Sequence, residues 1–188
     1  MTTLAKKYFL LTFLISLLFN CAPKQKSFQE LESKANLAID SFQKELLGTL
    51  QNTIKEKGIV EAIDKCKITS PNAEEKFSKL EGGEFRRLSS KNRNQAHAPK
   101  DWEAKALSKW EEQIANKETI GIYKEETESE FRFLKPIFIA NPTCLKCHGV
   151  GEIEKDVASK IKNLYPEDKA TGYKMSELRG AFSVVWKK

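Results

Sequence analysis

Cys144-Leu145-Lys146-Cys147-His148 is the stretch around which the rest of the chain has to be organised. It spells C-x-x-C-H, the attachment signature of a c-type haem. Two thiols at this spacing can add to the two vinyl groups of one porphyrin and hold it by thioether bonds. The adjoining imidazole then reaches the iron as its proximal ligand, a common haem ligation. The competing readings are half of a zinc site and a local disulfide loop. A zinc site needs two more Cys or His ligands at suitable spacing, and only Cys21, Cys66 and His97 remain. The expectation is therefore one haem c per chain, with Cys144 and Cys147 as anchors and His148 on the iron.

The amino terminus points the same way. Lys6 and Lys7 precede a short apolar run from Tyr8 to Phe19, and the chain turns polar at Pro23-Lys24-Gln25-Lys26. A spanning helix needs roughly 20 apolar residues, so an export signal is the better reading. Cys21 follows the apolar run directly, as in a lipoprotein signal cleaved before that Cys and acylated on it. Leu18 fits the third position before the Cys, whereas Phe19 and Asn20 are larger than the residues usual there. The expected organisation is a signal peptide over 1–20 and a single domain over 21–188. The protein is then exported and lipid-anchored through Cys21 on the periplasmic side of a bacterial membrane. Covalent haem attachment takes place on that side of bacterial membranes.

The full chain carries 32 Lys+Arg and 26 Asp+Glu, a net charge of +6. Loss of Lys6 and Lys7 with the signal leaves +4, and two ionised propionates would bring this to about +2. The charges interleave along the chain, and a nucleic-acid partner would call for a basic stripe that is absent.

The chain has four cysteines. With Cys21 assigned to the lipid and two to the haem, Cys66 is left over in an exported protein, and a lone thiol there asks for a role. Ile59, Ile63 and Cys66 fall at helical spacing on one face, which turns the thiol inward. It is either a buried, inert Cys or a thiolate ligand on the second axial position of the iron. His97 is the rival ligand, borne on the loop-like stretch Arg93-Asn94-Gln95-Ala96-His97-Ala98-Pro99, and Met175 is a third candidate. From spacing alone the choice stays open.

Periodicity predicts a mixed helix and strand domain. A long helix runs from Ser27 to about Lys57, with Phe28, Leu31, Ala35, Ile39, Phe42 and Leu46 on one face, and stops at Gly58. A second helix covers 59–66. A third begins at Ser70-Pro71, with Ser as N-cap and Pro at the first helical position, and ends near Gly82-Gly83. Phe85 to Ser89 reads as a strand and Asp101 to Asn116 as a helix. Thr119 to Lys124 and Glu130 to Lys135 read as paired strands, and Ile137 to Ala140 continues the extended chain. A loop carrying the haem motif follows, then a short helix over 156–165 and a last strand from Ala181 to Trp186.

At this point the chain resembles a family. Phe85-Arg86-Arg87-Leu88-Ser89-Ser90-Lys91-Asn92-Arg93-Asn94, followed by Ala98-Pro99-Lys100-Asp101-Trp102-Glu103, is similar to a block of the Tll0287-like family. So are Ala62-Ile63-Asp64-Lys65-Cys66, the haem motif with Gly149, and Tyr165-Pro166-Glu167-Asp168-Lys169-Ala170-Thr171-Gly172-Tyr173. The run Leu178-Arg179-Gly180-Ala181-Phe182-Ser183-Val184 completes the likeness, which covers about residues 30–187. The chain departs from the pattern at Gln95, where the family has Pro, and at His97, where it has Asn. The resemblance implies an α+β, PAS-like fold: an antiparallel sheet with flanking helices behind a long N-terminal helix, holding one covalent haem c. It also implies Cys66 as the distal ligand opposite His148.

Among the five arginines, Arg93 and Arg179 are the candidates to pair with haem propionates, since a planar, permanently charged fork suits a carboxylate. The alternative for each is a solvated surface Arg. With both axial positions filled by protein, no site is open to substrate, and nothing resembles a catalytic triad, so no enzymatic activity is expected. The expected function is electron transfer, with a redox partner. The alternative is redox or diatomic-gas sensing through a signalling partner. A structural lipoprotein with an incidental haem is a third class.

Overall fold

A computed structural model of the chain describes residues 27–188 apart from residue 152. The expected signal peptide and Cys21 lie outside the described residues. Contacts divide the chain after Leu31, and residues 32–188 form one compact unit.

Helix α1 (Phe28–Lys57) starts with a reciprocal cap: Ser27 Oγ accepts from Glu30 N–H at 3.3 Å while Glu30 Oε2 accepts from Ser27 N–H at 3.0 Å. Gly58, at φ 86°, breaks the chain between α1 and α2 (Ile59–Glu81) in a conformation that side chains resist. The sequence divides α2 into two helices at Ser70-Pro71, but the structure runs straight through with Pro71 inside. An internal proline costs about 3 kcal/mol. Packing on both halves offsets that cost. Ile63 packs against Val157 and Ile161, and Phe77 against Phe42 and Phe85, each large side chain contributing about 1.5–3 kcal/mol on burial. Ser70 does not cap; its hydroxyl donates to Glu74 Oε1 at 3.1 Å.

Strand β1 (Glu84–Leu88) follows, then a 3-10 turn (Gln95–His97) and helix α3 (Asp101–Ala115). Strands β2 (Tyr123–Glu126) and β3 (Glu130–Phe138) form an antiparallel pair from Tyr123↔Leu134 to Glu126↔Phe131. β2 therefore begins four residues later than the apolar pattern from Thr119 predicts. Helices α4 (Pro142–His148) and α5 (Lys155–Leu164) precede the last strand, β4 (Leu178–Lys187). The four strands lie in the order β1-β4-β3-β2, and the pairs β1/β4, β2/β3 and β3/β4 are antiparallel.

β4 is central, and every residue from Gly180 to Trp186 is buried. That explains its continuous apolar run, since a strand covered on both faces cannot alternate. On one face Phe42 of α1 meets Phe85 and Phe182 with centroids 5.4 and 5.5 Å apart. On the other, Ala106, Leu107 and Trp110 of α3 pack on Leu88, Leu134 and Ala181. Glu103, fully buried, ties α3 to the sheet by accepting from Arg86 Nη1 at 3.0 Å. This is the mixed helix and antiparallel-sheet fold with a long N-terminal helix that the resemblance implies.

Candidate haem site

The haem motif is read from sequence as a loop, and the structure makes it a helix. Asn141 caps α4, its side chain accepting from Thr143 N–H at 2.8 Å, and Pro142 follows at the first turn. Cys144, Cys147 and His148 thus sit at i, i+3 and i+4 of one helix, the spacing that puts side chains on one face. Gly149 is required by space: a Cβ there would lie 2.6 Å from the Leu145 carbonyl oxygen. The chain leaves the helix against residues 172–173, with Tyr173 N–H donating to His148 O at 2.9 Å and Gly172 N–H to Gly149 O at 3.0 Å.

His148 is braced by the backbone. Its Nδ1 lies 2.6 Å from the Ala170 carbonyl. A carbonyl can only accept, so Nδ1 carries the proton and Nε2 keeps its lone pair for a metal. Burial, then the Arg179 and Arg93 charges, push the imidazolium well below its ordinary 6.5, so the ring is neutral at pH 7. An edge-on contact with Tyr173, at 6.4 Å between centroids, limits the ring's rotation.

The Ala170 carbonyl is in turn fixed by a relay the sequence did not reveal. Asp168 Oδ1 accepts from Ala170 N–H at 2.9 Å, and the Asp168 carboxylate takes Arg93 Nε and Nη2 at 3.2 and 3.1 Å. Arg93 Nη2 also donates to the Cys147 carbonyl at 2.6 Å. Arg93 therefore joins the haem-motif helix to the segment that orients its histidine, leaving Nη1 as the nitrogen outside these bonds. Arg179 differs: its Nη1 donates to Lys91 O at 3.2 Å and its guanidinium lies 5.3 Å from the Tyr173 ring centre, and among the described residues no carboxylate forms an ion pair with it. Of the two propionate candidates, Arg179 has the freer charge.

The Arg93–Asp168 pair is largely enclosed, with side chains 14% and 9% exposed. Removing one partner of such a pair strands the other's charge at a cost of about 3–5 kcal/mol. Arg93→Ala is expected to lower the stability of the protein by that order, measured by urea unfolding. A loss below about 1 kcal/mol would mean that solvent screens the pair.

Cys66 lies on α2, whose first half packs on α5. Cys147 joins Ile59, Val60 and Ile63 around that contact, so the α2 face bearing Cys66 borders the motif. Cys66 and Cys147 are close enough that a charge on Cys66 raises the Cys147 pKa, behind burial and the opposing Arg93. Burial raises the Cys66 thiol above its ordinary 9.0, and the Arg87 charge opposes it. Cys66, Cys144 and Cys147 are all free thiols. His97 is turned to other use: its Nε2 lies 3.2 Å from Glu74 Oε2, and its carbonyl accepts from Ser89 N–H at 3.1 Å. Met175 is 42% exposed in the turn before β4. Among the described residues no group of three or more His, Cys, Asp or Glu side chains is arranged to hold a metal ion.

A covalent haem fits these residues: two free thiols on one helix face, a neutral imidazole whose Nε2 lies outside the bond to Ala170, and a third free thiol on α2. Fold and site together define an α+β protein presenting a C-x-x-C-H helix beside an antiparallel sheet. The chain belongs to the Tll0287-like family, whose model matches residues 24–186. Among solved structures it is similar to one described as the cyanobacterial heme-protein Tll0287, at 20% identity and a TM-score of 0.65, covering 83% of this chain and 94% of that one. A comparison with curated proteins found no match.

Proposed function

We propose that this is an exported haem c protein that transfers electrons. Cys144 and Cys147 would hold one haem by thioether bonds, with His148 Nε2 and Cys66 Sγ as axial ligands and Arg179, with Arg93, near the propionates. Bound there, the haem supplies one-electron ferric and ferrous chemistry, its potential lowered by thiolate donation. The observation that carries this reading is the bond from His148 Nδ1 to the Ala170 carbonyl, which reserves Nε2 for a metal on the helix that bears both thiols. With both axial positions taken by the chain, substrate turnover is not expected.

The second reading, sensing, draws on Cys66 itself. Burial favours its neutral thiol, a poorer ligand than the thiolate, so reduction or a diatomic gas would displace it and alter how α2 meets α4. A redox titration with and without CO separates the two. Retention of both ligands in the ferrous state, with no CO adduct, is expected for electron transfer. Ready ligand loss and a CO adduct would favour sensing through a partner.

Anchoring through an acylated Cys21 would place the protein on a membrane surface. No helix among the described residues is long and apolar enough to cross one. The protein should partition with membranes, and Cys21→Ala should release it or stall its processing; an unchanged distribution counts against acylation.

A further inference from the structure

Cys66, Ser70 and Glu74 are spaced four apart on α2 and so form a row along one face of that helix. Arg87 of β1 lies along this row. It is next but one to Phe85, so both project from the sheet face that α1 and α2 cover. Its Nε donates to Glu74 Oε1 at 3.2 Å, its Nη2 donates to the Ser70 hydroxyl, and its Cζ lies 5.5 Å from the centre of the Phe42 ring. Glu74 is itself held, by the Ser70 hydroxyl on Oε1 at 3.1 Å and by His97 on Oε2 at 3.2 Å. The guanidinium is thus fixed in position, and the next place in the row, one turn back from Ser70, is Cys66.

The guanidinium therefore stands about one helical turn along α2 from the candidate distal ligand. Nothing in the sequence separates Arg87 from Arg86 beside it. The fold does: Arg86 points to the opposite face and pairs with buried Glu103.

We propose that Arg87, clamped by Ser70 and Glu74, is a positioning residue whose fixed positive charge beside Cys66 holds up the reduction potential of the site. This rests on the Cys66/His148 ligation proposed above. Reduction lowers the total charge of the site by one, so a fixed cation nearby favours the reduced form. Removing the cation lowers the midpoint potential. Removing the carboxylate that partly offsets the cation raises it.

The test compares Arg87→Gln, Arg87→Lys and Glu74→Gln with the parent in the haem-loaded protein, by redox titration and by the ferric thiolate bands and low-spin resonance. Arg87→Gln should shift the ferrous-to-ferric ratio at a fixed ambient potential about tenfold towards ferric, a fall of about 59 mV. Arg87→Lys should keep most of the parent potential. Glu74→Gln should move the midpoint upward. A merely structural role for the clamp would move Arg87→Gln and Glu74→Gln the same way, and that result overturns the inference even if either variant is less stable. An unmoved potential in Arg87→Gln, with the thiolate signature intact, overturns it as well. A thiolate signature that survives Cys66→Ala would instead overturn the ligation, and this inference with it.

Discussion

Replacing Cys66 with Ala is expected to abolish the thiolate signature of the ferric protein, both the split, red-shifted bands and the low-spin resonance. The change should be all or none, because among the described residues only Cys66 is left as a thiol once Cys144 and Cys147 carry the haem. Cys66 sits on α2, a helix whose first half is packed on α5 through Ile63, Val157 and Ile161. Side chains placed by packed helices hold a ligand more reproducibly than side chains on loops. His97→Ala should leave the signature intact, since its Nε2 is engaged with Glu74 and its loss frees no thiolate. The Cys66→Ala haem should become five-coordinate, unless His97 leaves Glu74 to capture it. Loss of six-coordination with His97→Ala and none with Cys66→Ala would mean His148/His97 ligation and would overturn the assignment.

The second large effect is covalent attachment. Expressed with a c-type maturation system, the mature chain should gain the mass of one haem, and that haem should survive acid–acetone extraction. Cys144→Ala with Cys147→Ala should convert it to haem that extracts freely, while either single substitution should leave one thioether and a retained haem. The two thiols stand one turn apart on α4, a spacing that suits thioethers and a disulfide alike, and a disulfide there would leave the haem extractable. Freely extractable haem in the parent protein would refute covalent attachment however the iron is ligated.

Much of the scaffold was legible because local patterns carry it. The apolar face of α1, its stop at Gly58 and the two-sided burial that makes residues 181–186 read as one apolar run are written in neighbouring positions. Pro71 misled because propensity acts locally, whereas the packing that holds α2 through it comes from Phe42 and Val157, remote in sequence. The haem motif was expected on a loop, since seven residues are too few to reveal a helical period; the helix is evident only from the Asn141 cap and the Leu145 to Gly149 bond.

The site divides in the same way. C-x-x-C-H is legible as a haem-attachment signature in the bare sequence, because its spacing joins thiols and imidazole within about one turn. Cys66 stands out there too, as the thiol left over once the other three are assigned and by its helical phase. Tertiary structure alone decided how those groups are held. The brace on His148 is a backbone carbonyl at Ala170, which any residue type would supply and no residue type announces. Arg93 and Asp168, 75 positions apart, meet only when the segment before β4 folds back over α4. Arg86 and Arg87 are chemically identical neighbours until the pleat of β1 sends them to opposite faces. An ion pair forms by distance in space, and distance in space is the quantity that a linear order of side chains does not contain.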